Sequence, residues 1–576
     1  MDDTLSRLDG EISNGLNWLA RYRGLSAGLL VALCLALYLP GFASLPVTDR
    51  DEARFAQATK QMLQSGDFID IRFQKDSRYK KPVGIYWLQS VSVSLFSPDD
   101  LRQIWAYRIP SLIGIIAAVL LTWWAARPIF GRENALLAAI LLAGAFTLSL
   151  EARIAKSDAA LLAFIALAQG ALARLYLFRL PQRDMVRIAA LFWAALGFGI
   201  LIKGPVAPAL AVLTLIPLVI FHRDRSWLKN LHALWGVPLM LAITMPWFIA
   251  IGIKSDWAFF QEALGEDFFA KMKSGKESHW GPPGFYLVAF WWSFWPAALV
   301  ATGGAALWLW RNRVRRRALF LLAWIIPFWL VLEATPTKLP HYAMVVYPAI
   351  AMAAAWVLRE ALLAGEVRMR TYKQGALLWL IIGVAQLVFL IFLLIYFGIS
   401  VSVWFFPLTL AFAGLAFVTF RAAWDGYFHA AIAAAILASI LLYTAAFRLV
   451  LPAVEPLWMS RQAGEIMEAL RPCAPQPVVL TRYREPSAVF LLGGDTKLMG
   501  IEEANNAMSQ GRAALVLMPT RDANQLPLVD PLPRAIACID GFAVNGGRHM
   551  KLQFLTAMPA GAFADCPVPE KFKCPE

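Results

Sequence analysis

The chain has 576 residues, of which 59% are hydrophobic and only 16% charged. A soluble protein of this size carries nearer a quarter charged residues, so the composition excludes a soluble enzyme and indicates a membrane protein. The net charge of +14 does not mark a nucleic-acid binder, because Lys and Arg sit in short clusters between apolar runs and no nucleic-acid motif is present.

A span needs about 20 apolar residues. Thirteen candidates follow along the chain: 24–42, 104–126, 133–150, 157–178, 187–203, 204–221, 232–252, 284–310, 318–334, 341–358, 375–397, 402–420 and 428–450. The first is followed by Leu39-Pro40 instead of a small-residue cleavage site, and reads as a retained span. With the N-terminus in the cytoplasm, every short inside loop is basic, most densely at Arg311, Arg313, Arg315, Arg316 and Arg317. That is the positive-inside pattern. An odd number of spans places the tail from about 451 outside.

The expected fold is therefore a polytopic α-helical membrane protein with a small C-terminal α/β domain. Residues 1–450 form the membrane part, with outer loops 43–103 and 253–283, and 451–576 form the outer domain. In that tail, Met459–Leu470 and Ser487–Leu492 read as helical, and Val478–Leu480 and Ala514–Met518 as strands. Cys473, Cys538, Cys566 and Cys574 all lie in it, which points to one or two disulfides in an oxidising compartment, with the pairing open.

The chemistry-bearing residues gather in the outer loops. Asp49, Arg50, Asp51, Glu52 and Arg54 open a helix, with Asp49 and Glu52 spaced as in a capping box. Phe55, Ala58, Met62 and Leu63 recur at helical spacing, as in a helix lying on the membrane surface. A cap needs one or two acids, so Asp51 is left for function. Tyr79, Lys80, Lys81 and Pro82 then precede Tyr86-Trp87. Outward lysines run against the loop-charge trend and suit a phosphate clamp, in which an ammonium acts as a point charge.

Glu151, Arg153, Lys156 and Asp158 follow, then Lys203, then Lys338, His341 and Tyr342. Together these loops would wall a polar cavity on the outer side. The stretch Asp256–Gly284, with Glu262, Glu266, Asp267, Lys271, Lys273, Lys276, Glu277 and His279, reads as its mobile cover. His279 is the one weak candidate for binding a divalent metal, and no paired His or Cys at ligand spacing accompanies it. No cofactor is otherwise expected. No Gly-rich nucleotide loop and no DxD run is present, so a nucleotide-sugar donor is not indicated.

The motifs Asp51-Glu52-x-Arg54, Gly66-Asp67, Tyr79-x-Lys81-Pro82-x-x-x-Tyr86-Trp87, Asp158-Ala159-x-Leu161, Lys203-Gly204-Pro205 and Lys338-Leu339-Pro340-x-Tyr342 resemble the aminoarabinose transferase and protein O-mannosyltransferase families. Both are membrane-embedded GT-C glycosyltransferases. The resemblance covers residues 45–350 and implies sugar transfer, with inversion, from a polyprenyl-phosphate donor on the periplasmic side of a bacterial inner membrane. The implied acceptor is lipid A or another envelope molecule. It implies Asp51 and Glu52 as catalytic residues. It implies Arg54, Tyr79, Lys80, Lys81, Asp158, Lys203, Lys338, His341 and Tyr342 around the donor phosphate and sugar. Aminoarabinose transferases usually carry Glu-Lys-Pro where this chain has Lys80-Lys81-Pro82. The lost Glu weakens a metal role, and the added lysine fits an acidic sugar such as a uronic acid better than aminoarabinose. Two rival readings are transfer to protein Ser/Thr and transport of a lipid-linked glycan. The second predicts inverted repeats and broken helices at the midplane, and neither is evident in the sequence.

Overall fold

The computed structural model describes residues 2–263, 280–301, 303–363, 369–523 and 532–574. Among them, nine helices are long and apolar enough to cross a membrane. The expected thirteen spans correspond to helical segments, but several fall short of a span. Arg132–Gly144 and Val206–Phe221 are short helices, and the candidate 284–310 is interrupted around Pro296. An amphipathic helix α1 (Asp2–Arg21), absent from the expectation, meets α2 (Arg23–Tyr38) at a bend of 118°. Asp9 of α1 accepts the backbone N–H of Ala430 at 2.9 Å, which caps the start of the last long helix, Phe428–Thr444.

After α2 the chain makes a loop and enters α3 (Asp51–Ser65), then a two-strand ribbon of β1 (Arg72–Phe73) and β2 (Asp76–Ser77), then α4 (Gly84–Phe96). The helical spacing of Phe55, Ala58 and Met62 is real, but all three are buried against protein, not laid on a membrane surface. Thr59 of α3 donates to Gln89 of α4 at 2.7 Å inside that contact.

Next come α5 (Ile104–Phe130), α6 (Arg132–Gly144), α7 (Phe146–Glu151), α8 (Ser157–Leu177), α9 (Gln182–Lys203), α10 (Val206–Phe221) and α11 (Ala233–Lys254). Helices α5 and α8 run against each other. Ser111 of α5 donates to the carbonyl of Ile154 at 2.7 Å and so holds the turn ahead of α8. Arg153 in that turn is buried and donates to the carbonyls of Pro40 and Leu37 at 2.9 and 2.6 Å, tying the turn to the end of α2.

The C-terminal unit sits on the same end of the bundle as α3. Its five-stranded sheet has the order β4 (Lys497–Leu498), β3 (Val479–Leu480), β5 (Val516–Pro519), β7 (Arg548–Thr556), β6 (Arg534–Ala543). The first three strands are parallel neighbours, and β6–β7 is an antiparallel hairpin paired to β5. The expected helices appear at Met459–Leu470 and Pro486–Leu492, and β3 and β5 fall where strands were expected. The hairpin was not expected. Disulfides join Cys473 to Cys566 and Cys538 to Cys574.

The unit docks through named contacts. Lys60 of α3 donates to the carbonyl of Phe490 at 3.0 Å, and the Ser487 hydroxyl binds the Asp49 carboxylate.

One buried ion pair joins the loop before α3 to the bundle. Arg108 of α5 meets Glu52 at 2.8 Å, and both side chains are fully buried. Removing one partner of such a pair strands a charge and costs about 3–5 kcal/mol. Arg108→Ala is therefore expected to lower the thermal midpoint of the detergent-solubilised protein sharply. A midpoint equal to wild type would mean that the pair holds nothing together.

Candidate active site

Asp51 and Glu52 are neighbours with opposite fates. Glu52 accepts from Arg108 Nε and Nη2 at 2.8 and 3.0 Å, from the Thr48 amide and hydroxyl at 2.8 and 2.9 Å, and from the Ala155 amide at 2.9 Å. Burial opposes its charge, but Arg108 and these donors hold its pKa below the usual carboxylate range. It was expected to be catalytic; its geometry makes it a fastening residue instead. The capping-box expectation also changes. Glu52 reaches back to Thr48, while Asp49 turns away to Ser487. Asp51, the first residue of α3, is exposed.

Beside Asp51 lies a compact chain of charges. Lys156 pairs with Glu151 at 2.9 Å, and Lys203 pairs with Asp158 at 2.5 Å. His341 sits between the two carboxylates, Nδ1 3.7 Å from Glu151 and Nε2 3.8 Å from Asp158. Its ring meets Tyr342 edge-on, and the Lys203 ammonium lies 5.0 Å from the Tyr342 ring centre. Burial works against the charge on Lys156. Glu151, Asp158 and Asp51 outweigh it and raise its pKa above the ordinary lysine range, which places Asp51 within electrostatic reach of the cluster.

The lysine motif approaches from the α4 side. Gly84 presses on the backbone of Leu201, where a Cβ would come within 2.8 Å of the Leu201 carbonyl. Only glycine allows that approach. It brings the turn carrying Lys81 to the end of α9, two residues from Lys203. Lys81 is half-buried and engaged, and Lys80 is exposed. Arg54 faces the C-terminal unit, where with Arg50 it lowers the pKa of Glu485 against the opposing effect of burial. Tyr79 donates to Asp70 at 3.0 Å and stacks edge-on to Phe259; burial and then the Asp70 charge push its pKa up to about 12.

Lys338 does not join the cluster's ion pairs. Its ammonium donates to the carbonyls of Leu332 and Glu333 at 2.8 and 2.6 Å, and its side chain is almost wholly buried. It clasps the end of the helix Arg316–Ala334 and contradicts the expectation of a donor-phosphate ligand. His279 and the charged residues from Glu266 to Glu277 lie outside the described residues, as does most of the expected cover. Among the described residues no group of three or more His, Cys, Asp or Glu side chains is placed to hold a metal ion. Glu151 and Asp158 converge with His341, but Lys156 and Lys203 already occupy their oxygens. Arg108 was missed by the sequence reading. The signal was there, since an arginine five residues into a membrane-length run must be paired.

The fold superposes on the crystal structure of ArnT from Cupriavidus metallidurans in the apo state with a TM-score of 0.73 at 19% identity, covering 94% of this chain and 98% of that one. The fold is that of a GT-C glycosyltransferase. The same ArnT bound to undecaprenyl phosphate gives a TM-score of 0.71 at 18% identity, over 94% and 99% of the two chains. The archaeal oligosaccharyltransferase AglB from Archaeoglobus fulgidus gives 0.52 at 13% identity, over 87% and 70%. Residues 80–249 match the family described as dolichyl-phosphate-mannose-protein mannosyltransferase. In sequence, the chain is 26% identical over 373 residues to an undecaprenyl phosphate-alpha-4-amino-4-deoxy-L-arabinose arabinosyl transferase of Yersinia pestis. That match takes in 62% of this chain, which spans only 63% of the relative's length. The counterpart from Aeromonas salmonicida is also 26% identical, over 58% of this chain and 60% of its own.

The approach of the C-terminal unit to the site leaves a pH signature. Burial, then the nearby Glu485 charge, push Asp49 up to about 6 from an ordinary 3.8. The folded chain therefore holds this proton more tightly than the unfolded one. The group's contribution to stability is greatest below about pH 4 and is lost as pH rises towards 6. Asp49→Asn keeps an acceptor for Ser487 and removes the buried charge. It is expected to gain on the order of 2 kcal/mol at pH 7 and to flatten the melting profile between pH 4 and 6. A profile as steep as wild type would move the effect elsewhere.

Proposed function

We propose that the chain is an integral inner-membrane glycosyltransferase that moves a sugar from a polyprenyl-phosphate donor to an envelope lipid of the lipid A type. The observation that carries this reading is the exposed Asp51 carboxylate set against the Lys156–Glu151–His341–Asp158–Lys203 cluster at one end of a membrane bundle. In our reading that end faces the periplasm and the N-terminus lies in the cytoplasm, in keeping with the basic loops at the other end. The printed names of the relatives, transferases using undecaprenyl phosphate, support the donor class.

The reaction we infer is a single displacement. An acceptor oxygen attacks the anomeric carbon as the bond to the donor phosphate breaks. The bonding pair leaves with polyprenyl phosphate, and configuration inverts. Lys203 and Lys81 face the charge that builds on the leaving oxygens, and fixed charges of this kind supply the largest rate term in such sites. Asp158 and the Tyr342 ring hold the Lys203 ammonium in place. Asp51 takes the proton of an acceptor hydroxyl. For an acceptor phosphate, already ionised, it orients the sugar instead.

Asp51→Asn is expected to lower turnover by about 10²–10⁴-fold with a hydroxyl acceptor, assayed by transfer of labelled sugar from synthetic polyprenyl phosphate. Near-normal turnover would remove the base role. Lys81→Ala is expected to raise the donor KM, and an unchanged donor KM would remove the clamp. The match of residues 80–249 to the protein mannosyltransferase family favours a second reading, with protein Ser/Thr as acceptor. Mass analysis of lipid A and of envelope glycoproteins, with and without the gene, separates the two.

A further inference from the structure

Away from Asp51 and the lysine cluster, two adjoining cavities form one groove at the junction of the membrane bundle and the C-terminal unit. The lower, about 820 Å³, is walled by Leu35, Leu39 and Phe42 at the end of α2. The upper, about 510 Å³, is lined by Arg102, Arg448 and Arg461, with Trp105 beside them. Ala43, Ser44 and Arg448 line both. None of Asp51, Lys81, Asp158, Lys203, His341 or Tyr342 lines either cavity.

The backbone explains why Arg448 faces this groove. Gly41 has φ +79, and a Cβ there would fall 2.1 Å from the Phe447 carbonyl. The loop after α2 therefore lies directly on the segment Ala445–Val450, which is wound as a single wide π turn. Such a turn re-aims side chains, often at functional sites. Arg448 is exposed, and among the described residues it makes no ion pair or hydrogen bond through its side chain. Arg102 is shared with Asp100 and Glu468 at 3.2 and 3.4 Å, and Arg461 with Glu465 at 3.1 Å. These are exposed contacts of small worth, which leaves both guanidiniums able to bind another anion. The Ser44 hydroxyl is buried without a hydrogen-bond partner. Cationic at the top and apolar below, the groove has the polarity of one lipid molecule seated with its head at the bilayer surface. A planar guanidinium matches phosphate oxygens two at a time.

We propose that this groove binds an anionic phospholipid. Its phosphate lies among Arg448, Arg461 and Arg102, and its acyl chains lie along the end of α2. The lipid bridges the loop after α2, the last long helix and the C-terminal unit. It stands apart from the transferase reading, since no side chain is shared.

The test is native mass spectrometry and thermal melting of the full-length protein in detergent, with dioleoylphosphatidylglycerol, dioleoylphosphatidylcholine or inorganic phosphate added. Phosphatidylglycerol is expected to be retained and to raise the melting midpoint, with little effect from the other two. In the Arg448→Ala/Arg461→Ala double variant its retention should fall about tenfold, the change expected on losing one charge-assisted contact, and Arg448→Lys should restore part of it. Should the double variant misfold, Arg461→Ala alone serves, because that side chain is exposed on a helix of the C-terminal unit. Equal retention of both lipids by wild type, equal stabilisation by inorganic phosphate, or undiminished retention by a folded variant would overturn the proposal.

Discussion

The arrangement of the site depends on the ion pair between Arg108 and Glu52. A guanidinium inside a membrane span is tolerated only where its charge and its donors are all answered. Arg108 meets Glu52 and also donates to the carbonyls of Phe42, Leu45 and Pro46 at 2.9, 2.7 and 2.9 Å. Glu52 in turn takes the Ala155 amide. One charge pair thus ties α5, the loop after α2, the start of α3 and the turn before α8. Asp51 is the residue before Glu52, and Lys156 is the residue after Ala155. Their mutual reach is a consequence of that pair.

The rest of the site repeats the same economy of charge. Each buried lysine is matched by a carboxylate, Lys156 by Glu151 and Lys203 by Asp158, with His341 bridging the carboxylates. Paired cations of this sort stay ordered before any ligand arrives, so little reorganisation is needed when charge develops on a phosphate. The C-terminal unit closes the other side of α3 through Lys60 and Asp49. Burial, with the nearby Arg102 charge, lowers Lys60 to about 8, so the contact between the two parts is made of groups whose charge is held at some cost. The helix that starts the site is therefore clamped between the bundle and the sheet.

Much of this was legible in the chain itself. The apolar runs marked the helices because the bilayer imposes one length and one polarity on whatever crosses it. The change of pattern near residue 451 announced the α/β unit, and four cysteines confined to it announced its disulfides. Asp158, Lys203, His341 and Tyr342, singled out from separate loops, do come together. Three readings failed for physical reasons. Glu52 and Lys338 carry the right chemistry for a site, but each is surrounded by groups that use it up. The amphipathic spacing of α3 was real, but its apolar face met protein and not lipid. The β6–β7 hairpin lacked a strong alternating pattern and was overlooked.

Local rules determined the membrane topology, the tail domain and the set of ionisable residues available for chemistry, because hydropathy, charge placement and cysteine content act over a few turns of chain. Tertiary structure alone decided which ionisable groups are consumed and which stay open. That choice rests on contacts between residues far apart in sequence, such as Arg108 with Glu52 and Lys203 with Asp158. No window along the chain contains both the charge and the neighbour that neutralises it.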